Sequence, residues 1–194
     1  MAKRITGKEM KCLQALCTGN MEAVKKLIDQ IPILRKDLGD ERLMIEAASS
    51  GSIETLKLLQ QQYGEEGAKH LPRGIVMAAS NGHINMVKFL LENGADVNSS
   101  DGSPLHFAAY NDKRDMVLFL LENGADIHSG HEAALTHCAG NGNLGMVKLL
   151  VKHGADVMYN SQQAYKEARH NRKTAVANYL RKKAEEYIEL TSSE

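Results

Sequence analysis

The sequence predicts an all-α fold in which short helix–turn–helix units stack into a solenoid. Two observations predict it. The tripeptide Gly-Ala-Asp recurs at Gly94, Gly124 and Gly154, at a constant spacing of 30 residues. Each copy closes a similar apolar run. Because a unit of this length cannot bury its own apolar face, it must stack on its neighbours.

The second helix of each unit is predicted from the apolar run that precedes the tripeptide. The runs at 87–91, 117–121 and 147–151 superpose without a gap. Glycine follows each run, at the place where a helix commonly ends with a residue of positive φ that glycine adopts without steric cost. Each run is therefore interpreted as a short helix with a glycine stop.

The first helix of each unit is predicted from an alanine-rich segment upstream, followed by a turn that contains asparagine. The same template extends towards both termini, so we expect six units, of which the first and last act as caps that face water. The predicted units are 8–39, 40–70, 71–99, 100–129, 130–159 and 160–190, in a single domain over 1–194 with a flexible tail at 191–194.

Two segments resemble the signature of ankyrin repeats. Residues 103–109 read Ser-Pro-Leu-His-Phe-Ala-Ala and are similar to Thr-Pro-Leu-His-x-Ala-Ala, and residues 120–126 are similar to the closing Leu-Leu-x-x-Gly-Ala-Asp. Ser103 suits the cap of a helix, and Pro104 suits the first helical position. The chain therefore resembles the ankyrin-repeat family, in particular the short repeats of ankyrin proteins from intracellular bacteria and large viruses.

The repeats are shorter than the family's usual unit of about 33 residues. The missing residues fall where the family has its β-hairpin loop, so we expect a shortened loop and a more purely helical array. The resemblance implies a non-catalytic protein–protein interaction module.

The composition narrows the classes of partner. The 194 residues include 24 basic and 24 acidic side chains, so no overall charge favours nucleic acid. No apolar run reaches the length of a signal peptide or a membrane span. We expect a cytoplasmic monomer that binds a protein partner, with no nucleic acid and no membrane insertion.

The usual motifs of catalysis and of phosphate or metal binding are absent from the sequence, so we expect no enzymatic activity, no cofactor and no metal. A metal or nucleophile site at His137 and Cys138 is a distant alternative, because it needs further converging ligands or an orienting acid. We interpret Cys12, Cys17 and Cys138 as reduced thiols, mostly of the core.

The resemblance implies that a partner binds the concave face, formed by the short loops and the exposed side of the first helices. Tyr110 and Tyr159 are the predicted anchors, because an aromatic ring with a polar end provides a large contact area. The predicted contact residues are Arg73, Ser80, Asn81, Ser100, Asp101, Tyr110, Asn111, His131, Glu132, Asn141, Tyr159, Gln162 and His170.

Two alternatives stay open for the role of the module. One is a regulatory or inhibitory subunit that acts by occlusion or self-assembly. The other is an effector, because residues 185–189, Glu-Glu-Tyr-Ile-Glu, resemble the glutamate-rich C-terminal signal of effectors that bacterial type IVB secretion delivers into host cells. The charged end of a capping helix is an alternative explanation, because it produces the same kind of sequence.

The last two predicted helices are rich in basic residues. We interpret this charge as solubility of the capping unit or as a surface for a partner. The residues are Lys166, Arg169, Arg172, Lys173, Arg181, Lys182 and Lys183.

The predicted register makes Leu120 a core residue between helices. Leu120→Asp should abolish cooperative unfolding, because it places an unpaired charge in the apolar core. Thermal denaturation followed by circular dichroism measures this, with Lys88→Asp as a control at a second-helix position predicted to face water. A cooperative transition at the wild-type midpoint for Leu120→Asp would refute the register.

Overall fold

The computed structural model describes residues 40–63 and 71–192, together with positions 11, 14–15, 18, 20 and 22–24. Most of the first predicted unit, including Cys12 and Cys17, lies outside these residues. The chain divides into two compact bodies, residues 1–100 and 101–194, here called the N-terminal and the C-terminal body. Within the described ranges the chain forms helices and turns but no strand, so the predicted all-α class is confirmed.

The N-terminal body contains two helix pairs with the predicted order of first helix, turn and second helix. The two first helices, α1 and α3, pack against each other. The four helices are α1 (Asp40–Ser49), α2 (Ile53–Tyr63), α3 (Leu71–Asn81) and α4 (Ile84–Glu92).

The C-terminal body repeats the arrangement three times. Among its first helices, α7 packs against α9, and among its second helices, α8 contacts α10. Helix α10 is the longest of the described helices, with 18 residues. The six helices are α5 (Ser99–Tyr110), whose first two residues belong to the N-terminal body, α6 (Arg114–Glu122), α7 (Ser129–Asn141), α8 (Leu144–Lys152), α9 (Tyr159–His170) and α10 (Thr174–Thr191).

The same three positions of each second helix form the core of the C-terminal body. They are spaced so that they lie on one side of the helix, and they recur every 30 residues. Their exposed fractions are near zero, which accounts for the apolar pattern of the sequence. They are Met116, Val117 and Leu120 in α6, Met146, Val147 and Leu150 in α8, and Val176, Ala177 and Leu180 in α10.

Glycine ends the second helices as the sequence predicts. Gly124 follows α6 with a φ of 87°. Its N–H donates to the carbonyl of Leu121 at 3.1 Å, and the N–H of Ala125 donates to the carbonyl of Leu120 at 2.9 Å. These bonds use carbonyls that the helix leaves without partners at its end.

The loop that opens each repeat of the C-terminal body is a left-handed turn rather than a hairpin. Gly102, Glu132 and Gln162 occupy the same repeat position, with φ angles of 73°, 59° and 66°. The regular part of each first helix begins after this turn, which places Pro104 at the start of the regular helix although α5 itself begins at Ser99. Pro104 therefore occupies a position where its fixed φ is compatible with a helix.

None of the helices in the described ranges is both long and apolar enough to cross a bilayer.

Substitutions of two glycines in the C-terminal body should separate the cost of steric crowding from the cost of backbone strain. A Cβ at Gly102 would overlap the Cβ of Ser129 in the next repeat, whereas a Cβ at Gly124 would meet nothing within 4 Å. Gly124→Ala should cost about 1–2 kcal/mol of stability, the usual penalty of a left-handed residue. Gly102→Ala should cost a further ~1–3 kcal/mol, because the loop must move away from Ser129.

Urea unfolding of both variants measures this difference. Equal loss of stability would mean that the two repeats do not approach each other at Gly102.

Candidate protein-binding site

The exposed side of α5 carries a cluster of rings. His106 stacks on Phe107, with 4.9 Å between ring centroids, and on His137 of α7, with 4.6 Å. Tyr110 approaches His106 edge-on at 6.4 Å. Phe107 and Tyr110 are 39% and 51% exposed, which is high for large apolar side chains. We call His106, Phe107, Tyr110 and His137 the aromatic patch.

The aromatic patch is positioned by the opposite side of α5. Leu105, Ala108 and Ala109 are buried. Helical periodicity then directs Phe107 and Tyr110, three residues apart, towards solvent. The burial of small alanines anchors the helix, so the patch stands on a rigid element.

The two imidazoles of the patch interact directly. Nδ1 of His137 lies 2.7 Å from Nε2 of His106, a distance at which one ring N–H donates to the other nitrogen. The pKa of His106 is lowered, mainly by partial burial and further by the neighbouring His137. Both rings cannot be charged without mutual repulsion, which favours the neutral form of His106.

A second ring pair lies at the next repeat. His131 stacks on Tyr159 with 6.2 Å between centroids. His131 is exposed, whereas Tyr159 is only half-exposed at the start of α9. Of the two tyrosines predicted as anchors, Tyr110 therefore presents more surface.

Glu132 does not face solvent, contrary to the prediction that it contacts a partner. It is 3% exposed, and its Oε1 accepts hydrogen bonds from the backbone N–H of Asp156 at 3.1 Å and from Nδ1 of His128 at 2.5 Å. The left-handed backbone of the loop turns the carboxylate inward, where it joins the loops of two successive repeats. Its Oε2 is buried, and among the described residues it has no hydrogen-bond partner.

The hydrogen bond to Glu132 raises the pKa of His128, and nearby carboxylates add to the effect. When His128 is protonated, it forms a charged pair with Glu132. Sequence comparison between repeats missed this role, because the equivalent positions of Glu132 are Gly102 and Gln162. No recurring acid marked the position as structural.

In the N-terminal body, the predicted contact residues are placed at three different kinds of position. Arg73 and Ser100 are exposed, and Ser80 is half-buried. Asn81 is exposed, but its Nδ2 donates to the carbonyl and the hydroxyl of Ser49, both at 2.9 Å. Asn81 therefore joins α3 to α1.

The remaining predicted residues lie in the C-terminal body. Asn111, Asn141 and His170 are exposed, and Asn111 caps its own helix by donating from Nδ2 to the carbonyl of Phe107 at 3.0 Å. Gln162 is half-buried with its Nε2 at 3.8 Å from the sulfur of Met158. The side chain of Asp101 lies outside those described.

Sequence reasoning missed Phe107 and His137 as surface residues. Phe107 fills the variable position of the repeat signature, and a large aromatic side chain there was the available signal. His137 was considered only with Cys138, yet it pairs with His106.

The chemistry of Cys138 does not suit a nucleophile. Its side chain is buried, and this burial raises the pKa of the thiol to about 12, with a smaller contribution from Asp112. The thiol is therefore neutral at physiological pH, whereas nucleophilic and metal-binding cysteines act as thiolates. The described residues contain no group of three His, Cys, Asp or Glu side chains placed to hold a metal ion.

The pKa of His106 should lie below 6.5, the ordinary value for histidine, and the pKa of His128 should lie above it. His106 resists protonation in the fold, so its contribution to stability decreases as pH falls through 6.5. His128 is stabilised as a cation, so its contribution is complete below 6.5 and is lost as pH rises through its raised pKa.

NMR titration of the imidazole Hε1 signals measures both values. His137→Ala should raise the pKa of His106 only in part, because burial is the larger cause. Glu132→Gln should lower the pKa of His128. An unchanged His128 pKa in that variant would contradict the charged pair.

Comparison with known protein families gives two matches that adjoin along the chain. A family profile of ankyrin repeats in three copies matches residues 69–131, and an ankyrin-repeat profile matches residues 130–161. No curated protein was found to match the chain. The matched residues include the glycine stops, the aromatic patch and the left-handed turns at Gly102 and Glu132. The chain belongs to the ankyrin-repeat family.

Proposed function

We propose that the protein binds a partner protein through the aromatic patch on α5 and α7. Ankyrin repeats are generic protein–protein interaction modules. The observation that carries the proposal is the joint exposure of Phe107 and Tyr110 beside two stacked imidazoles. Aromatic side chains of this kind are enriched among the residues that dominate binding energy at interfaces.

The rings of the patch restrain one another, which favours binding. His106 contacts Phe107, Tyr110 and His137 at once. Side chains that are already ordered lose less conformational entropy when a partner docks. Asn111 and Asn141, both exposed, provide polar groups near the turns that follow α5 and α7.

We propose a non-catalytic role for this surface. The buried thiol of Cys138 supports it, because this cysteine adjoins His137 in the chain but is not activated as a nucleophile. Occlusion of a partner's site by the bound module is the regulatory form of the same proposal. Its signature would be inhibition without turnover.

The glutamate-rich segment at 185–189 lies within α10. Glu186 accepts a hydrogen bond from Nζ of Lys183 at 2.6 Å, and Glu185 lies 3.9 Å from Arg181. These pairs are spaced by three and four residues, as in the ion pairs that support isolated helices. They favour a helix-stabilising role for the two glutamates, and delivery into a host cell stays a prediction, as does a cytoplasmic location.

Affinity capture with matched variants tests the patch. The baits are the wild type, Phe107→Ala/Tyr110→Ala, and Tyr187→Ala, which removes an equally exposed ring from α10. A partner should be retained by the wild type and by Tyr187→Ala and should be lost from the double variant. Because both removed side chains are exposed, the double variant should melt within a few degrees of the wild type.

The partner identified in this way should then be titrated against each bait by calorimetry. The double variant should bind at least about tenfold more weakly, as expected when central aromatic contacts are removed. Equal affinity for all three baits would rule out the aromatic patch as the binding surface.

A further inference from the structure

A groove between α9 and α10 concentrates positive charge. It is a cavity of about 320 Å³ in the C-terminal body. Its walls include Tyr165, Arg169, Arg172, Lys173 and Arg181. Neither Asp nor Glu is among the described residues that line it. We call this cavity the cationic groove.

The cationic groove lies on the side of the α9–α10 repeat that corresponds to a buried side of the preceding repeat. In α7, Leu135 and Ala139 are fully buried, and α7 packs against α9. The equivalent residues of α9, thirty positions later, are Tyr165, which is half-buried, and Arg169, which is exposed. At these two repeat positions the side chains therefore change from apolar in α7 to aromatic and cationic in α9.

The four cations have few compensating charges. Arg181 lies 3.9 Å from Glu185, and both side chains are about 60% exposed, so this pair contributes little. Among the described residues, no carboxylate pairs with Arg169, Arg172 or Lys173. Arg169 instead lies over the ring of Tyr165, 5.9 Å from its centroid.

Solubility of a cap does not require charges of one sign. Just beyond Arg181, α10 carries charges of both signs that pair, as Lys183 does with Glu186 at 2.6 Å. In the cationic groove the like charges repel one another, a cost that a mixed surface would avoid. An acidic occupant would remove this repulsion.

We propose that the cationic groove binds an acidic segment of a partner protein, through several carboxylate side chains. Arginine guanidinium groups bind carboxylates in a bidentate manner, and three of the four cations are arginines. The volume admits only a few side chains, which suits a short segment. This site is separate from the aromatic patch and does not depend on it.

The surroundings of the cationic groove favour a peptide over a nucleic acid. A nucleic acid requires a continuous basic track along its phosphates. Beyond Arg181, α10 carries Glu185, Glu186 and Glu189, of which the first and last are exposed. These acids would repel a phosphate chain that continues along α10, whereas a short acidic segment needs no path beyond the groove.

Arg169→Ala/Arg172→Gly is a variant that removes two charges without endangering the fold. It copies Ala139 and Gly142, the residues at the same positions of the preceding repeat. Arg172 has a φ of 59°, so glycine relieves strain there rather than adding it. The control is Lys166→Ala/Lys182→Ala, which removes two exposed cations from the same helices but outside the groove.

Fluorescence anisotropy with a fluorescein-labelled octaglutamate peptide tests the proposal on the full chain. The wild type and the control should bind it, more weakly as salt rises, and Arg169→Ala/Arg172→Gly should lower the affinity about tenfold or more. Equal binding by the two double variants would overturn the site, because the effect would then follow net charge alone.

Three further measurements challenge the identity of the occupant. Tighter binding of an oligothymidylate of the same length would replace the acidic peptide with a nucleic acid. Displacement of the peptide by inorganic phosphate at an equal concentration of anionic groups would indicate a phosphate site. A concentration-dependent dimer that disappears in Arg169→Ala/Arg172→Gly would make a second copy of the chain the occupant. Each result would overturn the proposal while leaving the aromatic patch untouched.

Discussion

The structure depends on one constraint, which is that a repeat of 30 residues cannot bury its own apolar side. The C-terminal body meets it by placing Met116, Val117 and Leu120, and their equivalents in later repeats, in a shared core. Small residues at Ala108, Ala109 and the corresponding places let the helices approach. The left-handed turns follow from the same constraint, because they return the chain within a short loop.

A core supplied by repeated positions leaves the other positions free to carry function. On α5, burial of the alanine side holds Phe107 and Tyr110 outward, so stability and binding use different sides of one helix. In the repeat formed by α9 and α10, Arg169 is exposed at the position where the preceding repeat has the buried Ala139. The two proposed surfaces thus arise from the same architecture, one on the exposed side of α5 and one between α9 and α10.

Glu132 shows where inference from repeat positions fails. The resemblance to ankyrin repeats implied that it lies on the concave face and contacts a partner, and the equivalent residues Gly102 and Gln162 give no sign of a buried acid. The left-handed backbone instead directs the carboxylate to the N–H of Asp156 and to His128. A single acid among non-acidic equivalents therefore became structural through contacts that span 24 residues.

The sequence by itself determined the repeat length, the order of helices, the glycine stops and the apolar core, because these follow from local conformational preference and periodic burial. It also identified Tyr110 as an exposed aromatic position. Only the tertiary structure decided that Glu132 is buried, that His106 pairs with His137, and that the C-terminal cations line one groove. Each of these depends on side chains from different helices or loops meeting in space, and no local pattern of residues specifies such a meeting.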